Sequence, residues 1–158
     1  MKKILVPTDF TVESLSILKK ALENNPNEKL DILLVHGVSF SNAITDLLFF
    51  RRHQYIASLE NNEFCEANDI LKNKFASNIN SLVSDVFIGY NLNAFKNYVE
   101  GNKIEEAYIP ANYNLKKANK DSQDILPYIK KAIPLVHEVN LEETNGVYVG
   151  GSLANIFA

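Results

Sequence analysis

Two aliphatic runs constrain this chain most, Ile4-Leu5-Val6 and Leu30-Asp31-Ile32-Leu33-Leu34-Val35-His36, with a single helical pattern between them. Strands with so little polar alternation are buried on both faces, as in a parallel sheet covered by helices on each side. Between the runs, Thr11 can cap a helix, Glu13 places a negative charge in its first turn, and Leu15, Leu18 and Leu22 recur at helical spacing. Asn24-Asn25-Pro26-Asn27 stops that helix. The opening therefore reads as a βαβ unit with a right-handed crossover.

From Ser39 to about Leu82 the pattern is helical and is divided at Asn61-Asn62. In the second piece Phe64, Ala67, Leu71, Phe75, Ile79 and Leu82 fall three to four apart, on one stripe facing the sheet. The first piece, Ile44 to Leu59, carries Leu47-Leu48-Phe49-Phe50. That run is wider than one stripe and suits either core packing or the cover of another subunit or groove. The α/β rhythm then continues with a strand at about Val83–Ile88, a helix at about Leu92–Gly101 and a strand near Ala107–Ala111. A short helix to about Ala132 and a fifth strand at Pro134–Val139 complete it. Pro110 has no N–H for a ladder, so pairing is expected to end at about Ile109. Residues 1–140 form the expected domain, and 141–158 an extension that adds a strand or a dimer contact.

The composition narrows the function. With 158 residues, 46% of them hydrophobic and 22% charged, the chain can bury one respectable core. Its 16 basic and 19 acidic residues include no basic block, which argues against nucleic acid. No apolar run is long enough to span a membrane, and Ile4-Leu5-Val6, stopped by Pro7-Thr8-Asp9, is too short for a signal segment. A single cysteine suits a reducing compartment, so the cytoplasm is expected. Cys65, beside Phe64, reads as a small buried hydrophobe. His36, His53 and His137 are scattered and form no metal-ligand spacing. Asp9 lacks the second acid two residues on that a phosphatase would need, since Thr11 stands there. It is either a local backbone cap or a ligand group. No catalytic constellation is visible.

Ile4-Leu5-Val6-Pro7-Thr8-Asp9-Phe10, Leu33-Leu34-Val35-His36 and Ile133-Pro134-Leu135-Val136, set in this α/β rhythm, together resemble the universal stress protein family. The resemblance spans about Met1 to Val139. It implies a three-layer α/β fold like that of the adenine-nucleotide alpha hydrolases. The sheet would have five mainly parallel strands, ordered 3-2-1-4-5, with helices on both faces and a cleft at the switch point between strands one and four. It also implies a candidate cleft of Pro7, Thr8, Asp9, Val35, His36, Ala111, Asn112, Asn114, Lys116 and Asp124, with Asp9 and Val35 at the nucleoside end of ATP. In ATP-binding members, glycines in the loop after strand four let backbone N–H groups approach the phosphates. Here Ala111 and Asn114 stand at the first two glycine positions and Asp124-Ile125 at the final pair. Read backward from Pro134, the final pair falls at Asp121-Ser122 instead. Pro127 favours Asp124 as the cap of the following helix, because a cap at Ser122 would put the proline past the first turn, at about 3 kcal/mol. A carboxylate there repels a triphosphate, while Lys116, Lys117 and Lys120 either offset it or stay solvated.

The resemblance thus implies a degenerate member with no cofactor, ATP disfavoured, no metal and no catalytic residue. It would act as a stress-response or regulatory module through homodimerisation and a protein partner. The rival is a nucleotide or small-anion binder, a slow hydrolase included, that uses the same cleft. The expected dimer edge is Ile133, Leu135, Val136 and His137, with the tail to Phe157 as its cover.

Overall fold

The computed structural model describes residues 2–39 and 51–141. Leu47-Leu48-Phe49-Phe50 and the extension from 142 onward lie outside the described residues. The elements are β1 (Lys2–Pro7), α1 (Leu15–Glu23), β2 (Leu30–Val38), α2 (Arg52–Leu59), α3 (Asn62–Lys74) and β3 (Ile79–Ile88). They continue with α4 (Leu92–Gly101), β4 (Glu106–Pro110), β5 (Ser122–Gln123), α5 (Leu126–Ala132) and β6 (Leu135–Val139). The sheet order is β3-β2-β1-β4-β6, with every neighbouring pair parallel, and β5 pairs antiparallel with β2 outside that path. The expected order is therefore found, with the expected fifth strand as β6 and an additional short strand, β5.

Burial on both faces follows from the alternation of β1. Ile4 and Val6 face one layer with Leu15, Leu18 and Leu22 of α1 and Phe64 and Leu71 of α3. Leu5 faces the other, with Phe95 and Val99 of α4 and Ile129 of α5. All of these side chains except Val99 are fully buried, which makes β1 the axis of both half-cores. Burying each leucine or phenylalanine contributes about 1.5–3 kcal/mol.

Thr11 caps, but one turn early: its Oγ1 accepts from the Ser14 N–H at 3.3 Å, at the start of a tight turn that leads into α1. Asn61 divides α2 from α3, its side chain accepting from the Phe64 N–H at 2.8 Å. The stripe expected to run as helix to Leu82 ends at Phe75, because β3 begins at Ile79. Ile79 and Leu82 pack on the same layer as the helix stripe, so their spacing imitated a continued helix. Cys65 is exposed, a correction to its reading as buried. Pairing also runs one residue further than expected, to Pro110 opposite Val139. The ladder there uses the N–H of Ala111, which donates to the Val139 carbonyl at 2.8 Å. Alternation turns the nitrogen of Pro110 away from β6, and the pairing of β4 with β1 stops earlier, at Leu5 opposite Ala107. The proline thus sits where β1 and β4 have parted.

Gly37 admits β5. A Cβ at that position would meet Ile125 and lie 2.6 Å from the Gln123 carbonyl oxygen. Gly37→Ala is expected to destabilise the chain by about 1–3 kcal/mol through this overpacking. Urea unfolding measures it, and an unchanged midpoint would mean that β5 does not rest on β2.

Candidate functional site

At the carboxyl ends of β1 and β2 the loop from Ala111 to Ile125 folds back over the sheet and leaves a cleft of about 160 Å³. Of the residues expected there, Pro7, Thr8, Val35, His36, Asn114, Lys116 and Asp124 line it. Leu115, Lys117 and Ser122 join them. Asp9, Ala111 and Asn112 do not line it, and each has another task.

Asp9 is buried, with 3% of its surface exposed, and both carboxylate oxygens are engaged. Oδ1 accepts from the Thr11 N–H at 3.1 Å and the Thr11 hydroxyl at 2.5 Å. Oδ2 accepts from the Tyr113 hydroxyl at 2.6 Å and the Lys116 N–H at 2.9 Å. Of the two readings of Asp9, the local backbone tie is the one this geometry builds. Phe10, between Asp9 and Thr11, takes φ 60°, a conformation costing an aromatic residue about 1–3 kcal/mol. Its ring offsets that cost by packing 5.3 Å from His36 and 5.4 Å from Phe64. Burial pushes the Asp9 carboxyl up, but the Lys116 N–H, the Thr11 and Tyr113 hydroxyls and the Thr11 N–H outweigh it and hold it below the usual carboxylate range. The Tyr113 hydroxyl is pushed up, by burial first and then by this bond to Asp9.

Ala111 continues the β4 ladder, and Asn112 exchanges two bonds with Leu141, donating to its carbonyl at 2.9 Å and accepting from its N–H at 2.7 Å. The Val35 carbonyl is used by the Thr8 N–H at 2.9 Å. The Asp124 carboxylate accepts from the Leu126 N–H at 3.0 Å. That bond is a local turn one residue ahead of the helix: the N-cap of α5 is Ile125, without a side-chain cap bond, so Asp124 is not the expected cap, and Pro127 stands at the second helical position.

One further pair has no local signature in the sequence. The buried His36 lies 2.7 Å, Nε2 to Oγ, from Ser122, which is 86 positions away. His36 Nδ1 lies 2.8 Å from the Thr8 carbonyl. A carbonyl only accepts, so Nδ1 carries the proton and Nε2 accepts from the serine hydroxyl. Burial lowers the His36 pKa, against the raising influence of the Thr8 carbonyl and the Asp9 charge. The geometry resembles a nucleophile and its base, but Ser122 Oγ also accepts from the N–H groups of Ala118 at 3.0 Å and Asn119 at 3.2 Å. With its proton donated and both lone pairs taken, the hydroxyl has no electron pair to offer a substrate. Ser122 is thus a tie between loop and sheet, not the helix cap that one count of the sequence allowed.

At the far edge, Ile133 is 3% exposed and packs under α5, so it does not belong to the expected dimer edge. Leu135 is 47% exposed. Val136 is half-buried, and His137 stacks on Tyr108 with 4.4 Å between ring centroids. Among the described residues, no group of three His, Cys, Asp or Glu side chains could hold a metal, and no helix is long and apolar enough to cross a membrane.

Asp9→Asn is expected to cost about 2–3 kcal/mol, because an amide nitrogen must then face the donors of Tyr113 and Lys116. The pH dependence has a fixed sign. With its pKa depressed in the folded chain, Asp9 contributes stability above a pH of about 4 and loses it as the pH falls further. Denaturant titrations between pH 7 and 3 should show a flatter acid limb in the variant, and parallel curves would contradict the tie.

No family model matches the chain, and no curated protein matches it in sequence. Solved structures do. The hypothetical protein PH0823 superposes with a TM-score of 0.53 at 12% identity, covering 90% of this chain and 97% of that one. The hypothetical protein MJ0577 gives 0.50 at 16% identity, with coverages of 90% and 97%. Universal stress protein UspA from Lactobacillus plantarum gives 0.47 at 15% identity, with coverages of 89% and 97%. At these identities the likeness is one of fold: the chain shares the α/β fold of PH0823 and MJ0577, a mainly parallel sheet with helices on both faces.

Proposed function

We propose that the chain is a cytoplasmic stress-response or regulatory module of the universal stress protein type, which works as a homodimer on a protein partner and does not turn over ATP. The observation that carries this reading is the occupied state of the cleft, which lies at the carboxyl ends of β1 and β2 and not, as expected, between β1 and β4. Of Asp9 and Val35, the residues expected at the nucleoside end, Asp9 has both carboxylate oxygens engaged by the protein and Val35 accepts from the Thr8 N–H through its carbonyl. About 160 Å³ falls below the 300–1,000 Å³ usual for ligand pockets, so a nucleoside triphosphate would have to displace the loop. Displacing it breaks the ties at Asp9 and His36 together.

The dimer half of the reading rests on β6, which ends the sheet among the described residues. Its odd-numbered residues bond to β4, so the N–H groups of Val136 and Glu138 point outward from an edge that carries the exposed Leu135. A second reading, a small-anion site, is favoured by one observation: Lys116, Lys117 and His36 line the same cleft.

Calorimetric titration with ATP and Mg²⁺ is expected to give no micromolar binding, and a micromolar affinity abolished by Lys116→Ala would sink the non-nucleotide reading. The same titration with inorganic phosphate decides the second reading. Light scattering is expected to report twice the chain mass, and Glu138→Pro, which removes an outward N–H without touching the β4 ladder, should yield monomer. A monomeric parent chain would remove the dimer from the proposal.

A further inference from the structure

We propose that His36 is a proton-operated latch: neutral, it holds the loop around Ser122 shut against the carboxyl end of the sheet, and protonated, it releases that wall of the cleft. The hydrogen-bond capacity of one hydroxyl sets this latch, whichever ligand or partner the chain serves.

A serine hydroxyl has one proton and two lone pairs. Ser122 Oγ spends the proton on His36 Nε2, and its lone pairs accept from Ala118 N–H at 3.0 Å and Asn119 N–H at 3.2 Å. Once Nε2 is protonated it becomes a donor, and three donors then converge on two lone pairs. The hydroxyl proton must also find a new acceptor. The nearest is Asn119 Oδ1 at 3.5 Å, which accepts from the Asp121 N–H at 2.9 Å and has a second lone pair to offer, but turning the proton there leaves the three donors on the two lone pairs of Oγ. One of the two loop amides therefore loses its partner. Nδ1 donates to the Thr8 carbonyl in both states, so the ring stays anchored to β1 while the change falls on the loop.

The loop is placed to transmit that loss. Beyond Ser122, Ser39 N–H donates to the Asp121 carbonyl at 2.7 Å, and Asn119 donates to the Tyr55 hydroxyl of α2 at 2.8 Å. The charged groups around the ring are few. Asp9, on the turn after β1, favours the imidazolium. Lys116 and Lys117 from the loop and Asp124, before α5, line the same cleft as His36. Opposite His36 in register, β3 presents the apolar Val86, and the ring of Phe10 packs 5.3 Å away. Because burial lowers the His36 pKa, the sign is fixed. The latch contributes stability above the ordinary histidine pKa of about 6.5 and loses it as the pH falls below that toward the folded-state value.

Nuclear magnetic resonance of the isotope-labelled full chain between pH 7.5 and 5 tests this. At neutral pH the ring nitrogens should report the Nδ1–H tautomer. On acidification, the amide shifts of Ala118 and Asn119 should move with the midpoint of the His36 ring. Their hydrogen-exchange protection, corrected for the intrinsic pH effect, should fall about tenfold. In Ser122→Ala the pH dependence of these amides should vanish. The latch is overturned by an Nε2–H tautomer, by a ring that stays neutral down to pH 5, by loop amides indifferent to the ring's titration, or by an unchanged pH response in Ser122→Ala. Should that variant not fold, the tautomer and the matching midpoints in the unaltered chain still decide.

Discussion

The carboxylate of Asp9 is buried at the end of the central strand, where an uncompensated charge would cost several kcal/mol. Two of its donors come from Thr11, in the turn that follows, and two from Tyr113 and Lys116, on the loop after β4. The demand for those donors bends the chain. It accounts for the left-handed Phe10, which brings Thr11 back onto the carboxylate, and for the path of the loop across the sheet. His36 fastens the same loop a few residues later, through Ser122. The loop is therefore held at two points by groups from β2 and the end of β1, and the cleft is the space left between the ties.

These ties also relate the two layers. β1 feeds both half-cores, so it is packed on both faces. A loop tied to its carboxyl end is fixed to both layers at once. Gln123 extends the hold by donating to the carbonyls of Val38 at 2.7 Å and Gly89 at 2.8 Å, joining the ends of β2 and β3. Gly37 leaves the room that this approach needs.

The skeleton was legible because hydrophobic burial has a period. The aliphatic β1 and β2 and the helix at Leu92–Gly101 lie where pattern and stop signals put them. The join between α3 and β3 was misread because Ile79 and Leu82 pack on the layer that Phe64 and Leu71 occupy, and spacing alone does not distinguish a stripe from its continuation in a strand. Pro110 was assigned correctly as a limit on pairing but one residue early, since a ladder that alternates sides does not miss an N–H pointing the other way. Ser122–Gln123 is too short to leave a periodic signal at all.

The cleft was legible in part of its membership and not in its wiring. Asp9 and His36 were recognisable as the polar groups at the strand ends, and the lack of glycines at Ala111 and Asn114 was visible at once. What the sequence does not encode locally is which donor reaches which acceptor: Ser122 finds His36 across 86 positions, and Tyr113 finds Asp9 across 104. A glycine-rich loop keeps its backbone N–H groups free for an anion. Here the N–H groups of Lys116, Ala118 and Asn119 are all consumed by side chains of the chain itself. The side chains Asp9 and Ser122 have taken the place of the phosphate, and a ligand that enters this cleft must compete with bonds already made.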